Sequence, residues 1–294
     1  MTKGAAKMRY QTIRLSIPMK GHTLPALLLM PEKRPSAPVP GVLWLHGGGY
    51  MTGMAEMAHF TRARDLAGRC GAVVLAPGYR LSLRHPYPAA LEDAWRALKF
   101  LVRNAGPLGV DPARIMVGGE SAGGGLTAAL CMLARDRGEV RVAFQMPIYP
   151  MLDDRDTLSS RDNHAPIWNT RRNHAAWKQY LKGLEGEPPA YAAPARQTDY
   201  AGLPPAYTFV GTDDPFYRET LDYVKKLREA GVEARADVYP GCFHAFDMMA
   251  PWKPESREAA RRFEAAFRYA AAHFTPPQFL QSPLAPQDVP GQEE

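Results

Sequence analysis

Cysteine is scarce in this sequence: three in 294 residues, Cys70, Cys131 and Cys242, far apart and with no CxxC pair. A disulfide framework and a zinc site are therefore not expected, and no metal is called for. Long apolar runs are missing too. The N-terminal MTKGAAKMRYQTIRL lacks the apolar stretch of roughly 7 to 15 residues that a secretory signal needs, and LPALLLM is far too short to span a bilayer. The expectation is a cytoplasmic protein without a membrane partner. Nucleotide signatures of the Gly-Lys-Ser/Thr or G-x-G-x-x-G kind are absent, and so is any repeat of fixed period. Charge is not segregated either. The formal net charge is +6, but Lys and Arg are scattered among acids, and the densest clusters, Arg171-Arg172 and Arg261-Arg262, are short. These read as solvated faces, so nucleic acid is not an expected partner.

What is present is a chain whose 46% hydrophobic content can bury a large core as one domain. Alternation in QTIRLSI and LPALLLM predicts two early strands, and the buried run GVLWL a third ending at His46. From there strand and helix alternate. GAVVLAP, IMVGG, VAFQMPIYP, AYTFVG and EARADVYP read as strands; LEDAWRALKFLVRNA, LTAALCMLAR and TLDYVKKLREAG read as helices. This pattern predicts an α/β fold with a mostly parallel central sheet, helices on both faces and the early strands antiparallel at one edge. The expected organisation is a single domain over residues 1–274 and a Pro/Gln-rich extended tail over 275–294. About fifty-five residues between Pro150 and Pro205 interrupt the rhythm, and a connection of that length suggests a lid insertion over about 151–205.

One serine stands among five glycines in GGESAGGG, residues 118–125. Ser121 follows IMVGG and precedes LTAALCMLAR, which places it on a sharp strand-to-helix turn. That is where a strained, exposed nucleophile is held at a helix N-terminus. Gly119 and Gly123 flank it at the spacing such an elbow needs, and the amide of Ala122 points toward a developing oxyanion. Gly47, Gly48 and Gly49 end the strand GVLWL and leave unobstructed N–H groups to complete an oxyanion hole. A serine hydroxyl needs a base. Of the histidines after Ser121, His164 and His174 lie in the insertion, and His273 lies in an Ala-rich helix as a solvated or packed residue. His244, in PGCFHAF, follows a core strand, at the sheet edge where such sites lie. The acid comes from Asp213-Asp214-Pro215. Pro215 favours an extended conformation before it, which suits Asp214, with Asp213 left as the alternative in a turn or cap role.

HGGGY, GESAGG, the YRL of PGYRLSLRHPYPAALEDAWRAL, the DP of DDPFYRE and PGCFHAF occur in order across roughly residues 40 to 250. Together they resemble the hormone-sensitive lipase family of bacterial (family IV) carboxylesterases. The resemblance implies an α/β-hydrolase fold, Ser121, Asp214 and His244 as a triad, an oxyanion hole of glycine amides with Ala122, and no cofactor. The chain departs from the family at Arg218, where a second acid is usual, and in beginning its first strand near Tyr10 without a longer leader. The insertion is then the expected cover. Tyr50, Trp168 and Trp177, with Tyr180, are candidates for lining the substrate pocket, against the plainer reading of aromatic residues as core packing. The implied chemistry is hydrolysis of small-molecule esters with short acyl groups. An amidase or peptidase using the same triad, and a non-catalytic ligand-binding member of the fold, are the competing readings, and the sequence leaves a homodimer open.

Overall fold

The computed structural model describes residues 9–276 except 20 and 34, so the expected tail lies outside the described residues from 277 onward. In chain order the elements are β1 (Tyr10–Pro18), β2 (Thr23–Pro31), β3 (Val39–Leu45), α1 (Arg62–Cys70), β4 (Val73–Pro77), α2 (Ala89–Arg103), β5 (Val110–Glu120) and α3 (Ala122–Arg137). They continue with β6 (Phe144–Ile148), α4 (Thr170–Tyr180), β7 (Ala206–Gly211), α5 (Tyr217–Glu229), β8 (Ala234–Tyr239), α6 (Phe246–Met249) and α7 (Pro254–His273). The eight strands form one sheet in the order β1-β2-β4-β3-β5-β6-β7-β8. β1 pairs β2, and β2 pairs β4, antiparallel; every other pairing is parallel. The fold class and the antiparallel edge are as the sequence pattern predicts.

The apolar runs of the central strands follow from burial on both faces. In β3, Leu43 and Leu45 enter the core layer shared with α2 and α3, while Val42 and Trp44 enter the layer shared with α1 and α7. β4 divides in the same way, with Val73 and Leu75 on one side and Val74 and Ala76 on the other. Alternate side chains of a strand point to opposite faces, so helices on both sides leave no polar face to solvate. Trp44 meets Phe263 of α7 edge to face, with ring centroids 5.9 Å apart.

Two differences from the sequence reading have physical reasons. α1 was not predicted, because RARDLAGRC has few apolar residues. It is fixed instead by the Thr61 side chain accepting from the Ala63 amide, by Gly71 at φ 72° beyond its end, and by the ion pairs of buried Arg62. The strand read as IMVGG extends back to Val110, with irregular pairing between Val39 and Gly41 of the neighbouring strand.

The insertion between β6 and β7 contains α4 and otherwise turns. Asn169 caps α4 by accepting from the Arg172 amide, and Ala176, Trp177 and Tyr180 bury its inner face. Its entry is pinned where the Leu152 amide donates to Glu219 of α5 at 2.6 Å. Among the described residues no helix is long and apolar enough to cross a membrane.

Candidate active site

Ser121 lies between β5 and α3 at φ 59° and ψ −120°, a conformation that a non-glycine residue holds only when its surroundings impose it. Those surroundings are backbone. The Ser121 amide donates to Ile148 O at 3.0 Å, and the Ser121 carbonyl accepts from Met151 and Gly125, each at 3.0 Å. The turn is also crowded. A Cβ on Gly123 would come within 2.0 Å of Leu45 O, and one on Gly119 within 2.4 Å of the same atom. Any side chain at either position would drive the elbow away from β3.

His244 follows β8, and Ala245 next to it is left-handed at φ 60°. Its Nε2 lies 2.9 Å from Ser121 Oγ and its Nδ1 lies 2.8 Å from Asp214 Oδ2. An ionised carboxylate only accepts, so the network assigns the proton to Nδ1 and leaves Nε2 to accept from the serine hydroxyl. The imidazole is held by rings on several sides: Tyr149 at 5.0 Å, Phe216 at 5.1 Å and Trp168 at 6.2 Å between centroids.

Of the two aspartates, Asp214 is buried and reaches His244, and its other oxygen accepts from the Phe216 amide at 2.9 Å. Asp213 is exposed and accepts from the Thr212 hydroxyl. The remaining late histidines lie apart: His164 pairs with Asp162, His174 pairs with Asp156, and His273 donates to Tyr269 O.

The glycine run is not uniform. The Gly47 amide, expected among the oxyanion donors, is instead directed at Glu120 Oε1 at 3.3 Å, which leaves Gly48, Gly49 and Ala122 as the available amides. Preceding it, His46 is buried and stacked on Tyr79 at 4.0 Å, and burial lowers its pKa to about 4, so the ring is neutral. Tyr79 donates its hydroxyl to His46 O at 2.7 Å, fixing the start of the loop.

The aromatic candidates separate into two groups. Trp168 stands over the glycine run: a Cβ on Gly49 would come within 2.3 Å of its Cη2. It is carried there by a three-residue turn in which the Trp168 amide donates to Pro166 O at 2.8 Å and Ile167 takes φ 69°, the rare and strained sense of a γ-turn. Tyr50 and Trp177 lie elsewhere. Tyr50 is 1% exposed and stacks on Tyr180 at 3.8 Å, with Trp177 6.2 Å away, so these three rings fill the core beneath α4. For them the plainer packing reading fits the geometry.

Several residues at the site were not signalled by sequence reasoning. Tyr149, at φ 33°, backs the imidazole and donates to Asp247 Oδ1 at 2.9 Å; Asp247 in turn lies 3.2 Å from Arg62 Nε. Glu219, five residues after Asp214, ties the insertion to the helix that follows the acid. Ser159 and Asn163 of the insertion reach the same loop, with Ser159 donating to Pro215 O and Asn163 to Asp213 O. These are contacts between distant segments that carry no local periodicity. Among the described residues no group of three or more His, Cys, Asp or Glu side chains is disposed to hold a metal ion.

A profile for the alpha/beta hydrolase fold matches residues 42–248. Esterase LipI of Mycobacterium tuberculosis is 36% identical over 235 residues, 79% of this chain and 73% of that protein. An ethyl acetate hydrolase of Pseudomonas putida is 32% identical over 78% of this chain and 73% of its own length. Among solved structures, a bacterial heroin esterase superposes with a TM-score of 0.85 at 35% identity, covering 89% of this chain and 84% of that one.

Proposed function

Given that the chain belongs to the hormone-sensitive lipase (family IV) branch of the alpha/beta hydrolase superfamily and is a carboxylic ester hydrolase, we propose that it cleaves short-chain acyl esters, acetyl to butyryl, with Ser121, His244 and Asp214 as its triad. The observation that carries this reading is the continuous hydrogen-bonded chain from Ser121 Oγ through the His244 ring to Asp214. His244 takes the proton as Ser121 Oγ attacks the ester carbonyl, and then returns it to the departing alcohol. The same ring next activates water, which releases the acid and regenerates the serine. Asp214 holds the ring in the productive tautomer and stabilises its charge. Gly48, Gly49 and Ala122 are the proposed donors to the oxyanion, at the positive end of α3.

The preference for short chains rests on Trp168. An acyl pocket gains from each added methylene only while apolar walls remain to cover it, at about 0.8 kcal/mol per methylene. With an indole against the glycine run, that wall is met early. The name of the ethyl acetate hydrolase relative points the same way, toward a two-carbon acyl group. The test is kcat/KM for p-nitrophenyl esters from two to sixteen carbons. The reading expects a maximum at two to four; a maximum at ten or more overturns it.

A further inference from the structure

Beside the nucleophile lies a carboxyl group that the proposed chemistry does not use. Glu120 ends β5, is 2% exposed, and directs Oε1 at the Gly47 amide across the gap between β5 and the glycine run. The fit is close: a Cβ on Gly47 would sit 3.4 Å from Glu120 Cγ and 3.4 Å from Ser121 Cβ. The loop and the elbow thus share one contact surface, and Glu120 supplies the one side-chain hydrogen bond to a glycine amide of the run among the described residues.

No described residue makes a hydrogen bond to the other oxygen, Oε2. The Trp44 indole N–H lies near the carboxyl but stops short of a full hydrogen bond. Among the described residues no cation pairs with the group. Its titratable neighbours are Tyr79 after β4, Tyr149 after β6 and Asp247 on α6, and Arg62, the partner of Asp247, is committed to Asp247 and Asp65. A buried carboxylate with an unpartnered oxygen and no counter-charge is far costlier than the uncharged acid.

Building on the triad and oxyanion reading above, we propose that Glu120 is a positioning residue for the oxyanion loop: as a neutral acid it holds the Gly47 amide, so that Gly48 and Gly49 face the substrate oxygen. Neutrality matters because an ionised carboxylate at this position would oppose the negative charge that builds on the oxyanion only a residue or two away. Burial acts in the same direction, raising the pKa of Glu120 to about 8. Ionisation above that point reverses the arrangement, placing a negative charge behind the donors. An alkaline fall in turnover follows.

The experiment compares pH profiles of kcat and KM for p-nitrophenyl acetate between pH 5 and 10 in the full-length protein, Glu120→Gln and Glu120→Ala, with circular dichroism at each pH. The wild type is expected to lose most of its kcat in a single step with a midpoint near pH 8, at nearly constant KM. Glu120→Gln keeps an acceptor but cannot ionise, and its alkaline step disappears. Glu120→Ala lowers kcat on the order of tenfold or more at every pH, with KM little changed, because the loss falls on the transition state. An alkaline step of unchanged midpoint in Glu120→Gln, or no step in the wild type, overturns the proposal. If Glu120→Ala does not fold, the Gln profile decides alone. Ser121→Ala is assayed alongside: an inactive Ser121→Ala with an unaltered Glu120→Gln step removes this inference and leaves the triad standing.

Discussion

At Ser121 and Asp214 the consequences of a single atom are large. Ser121→Ala removes the attacking oxygen without touching the backbone bonds that hold the turn, so kcat on an aryl ester is expected to fall on the order of 10⁶ with the fold retained. Retention of a tenth of the activity would show that the elbow does not carry the nucleophile. Asp214→Asn is isosteric, but an amide that donates to Nδ1 favours the wrong imidazole tautomer, at a cost on the order of 10⁴ in rate. Asp213→Asn alters only an exposed bond to Thr212 and should stay within a few-fold of wild type. Steady-state kinetics on the three variants check this ranking, and its reversal would move the acid by one residue. The sequence already favoured Asp214 through Pro215. It could not reveal that Asp214 also caps the following turn through Phe216, because one carboxylate serving two partners is a fact of geometry.

For α4 and the turn before it, the strained γ-turn at Ile167 aims Trp168 at the glycine run, and the buried face of α4 keeps the insertion in place. Trp168→Ala should open the pocket while Tyr50, Trp177 and Tyr180 hold α4 where it is. The kcat/KM ratio for hexanoyl over butyryl esters is then expected to rise on the order of tenfold, since two further methylenes gain cover at about 0.8 kcal/mol each. An unchanged ratio would remove Trp168 from the acyl wall. The elements that sequence made legible are those with a strong internal period, such as the continuous apolar runs of β3 and β4 and the amphipathic α2 and α5. α1 was illegible because polar Arg62 and Asp65 are buried as an ion pair, and their inward position depends on Asp247, more than 180 residues later. The division of the aromatic residues was hidden for the same reason: identical residue types line a site or fill a core according to what the rest of the fold places beside them.

Across the protein as a unit, two buried groups at the loop-and-elbow contact pull stability in opposite directions with pH. His46 has its pKa lowered to about 4 from 6.5, so its contribution is complete above about pH 6.5 and is lost as pH falls through about 4. Glu120 has its pKa raised to about 8 from 4.5, so its contribution is complete below about pH 4.5 and is lost as pH rises through about 8. Each is worth on the order of 3 to 5 kcal/mol over its full range. Between pH 4.5 and 6.5 the slopes oppose; above 6.5 only the carboxyl acts, joined by buried Glu219, whose pKa burial also raises. Thermal unfolding is therefore expected to show Tm falling by several degrees from pH 6.5 to 8. Glu120→Gln should flatten that fall, and a Tm that rises over this interval in both proteins would mean that Glu120 is ionised in the fold. The strand order has a further bearing on how activity arises. Ser121 and His244 stand 123 residues apart, and β8, whose end leads to His244, is the last strand in the chain and lies at the sheet's far edge. If His244 is the base, as proposed, a growing chain that has already formed its serine turn has no base with which to use it. On the proposed triad, ester cleavage is expected to begin only once β8 has joined the sheet, so that a chain still being synthesised would be chemically silent.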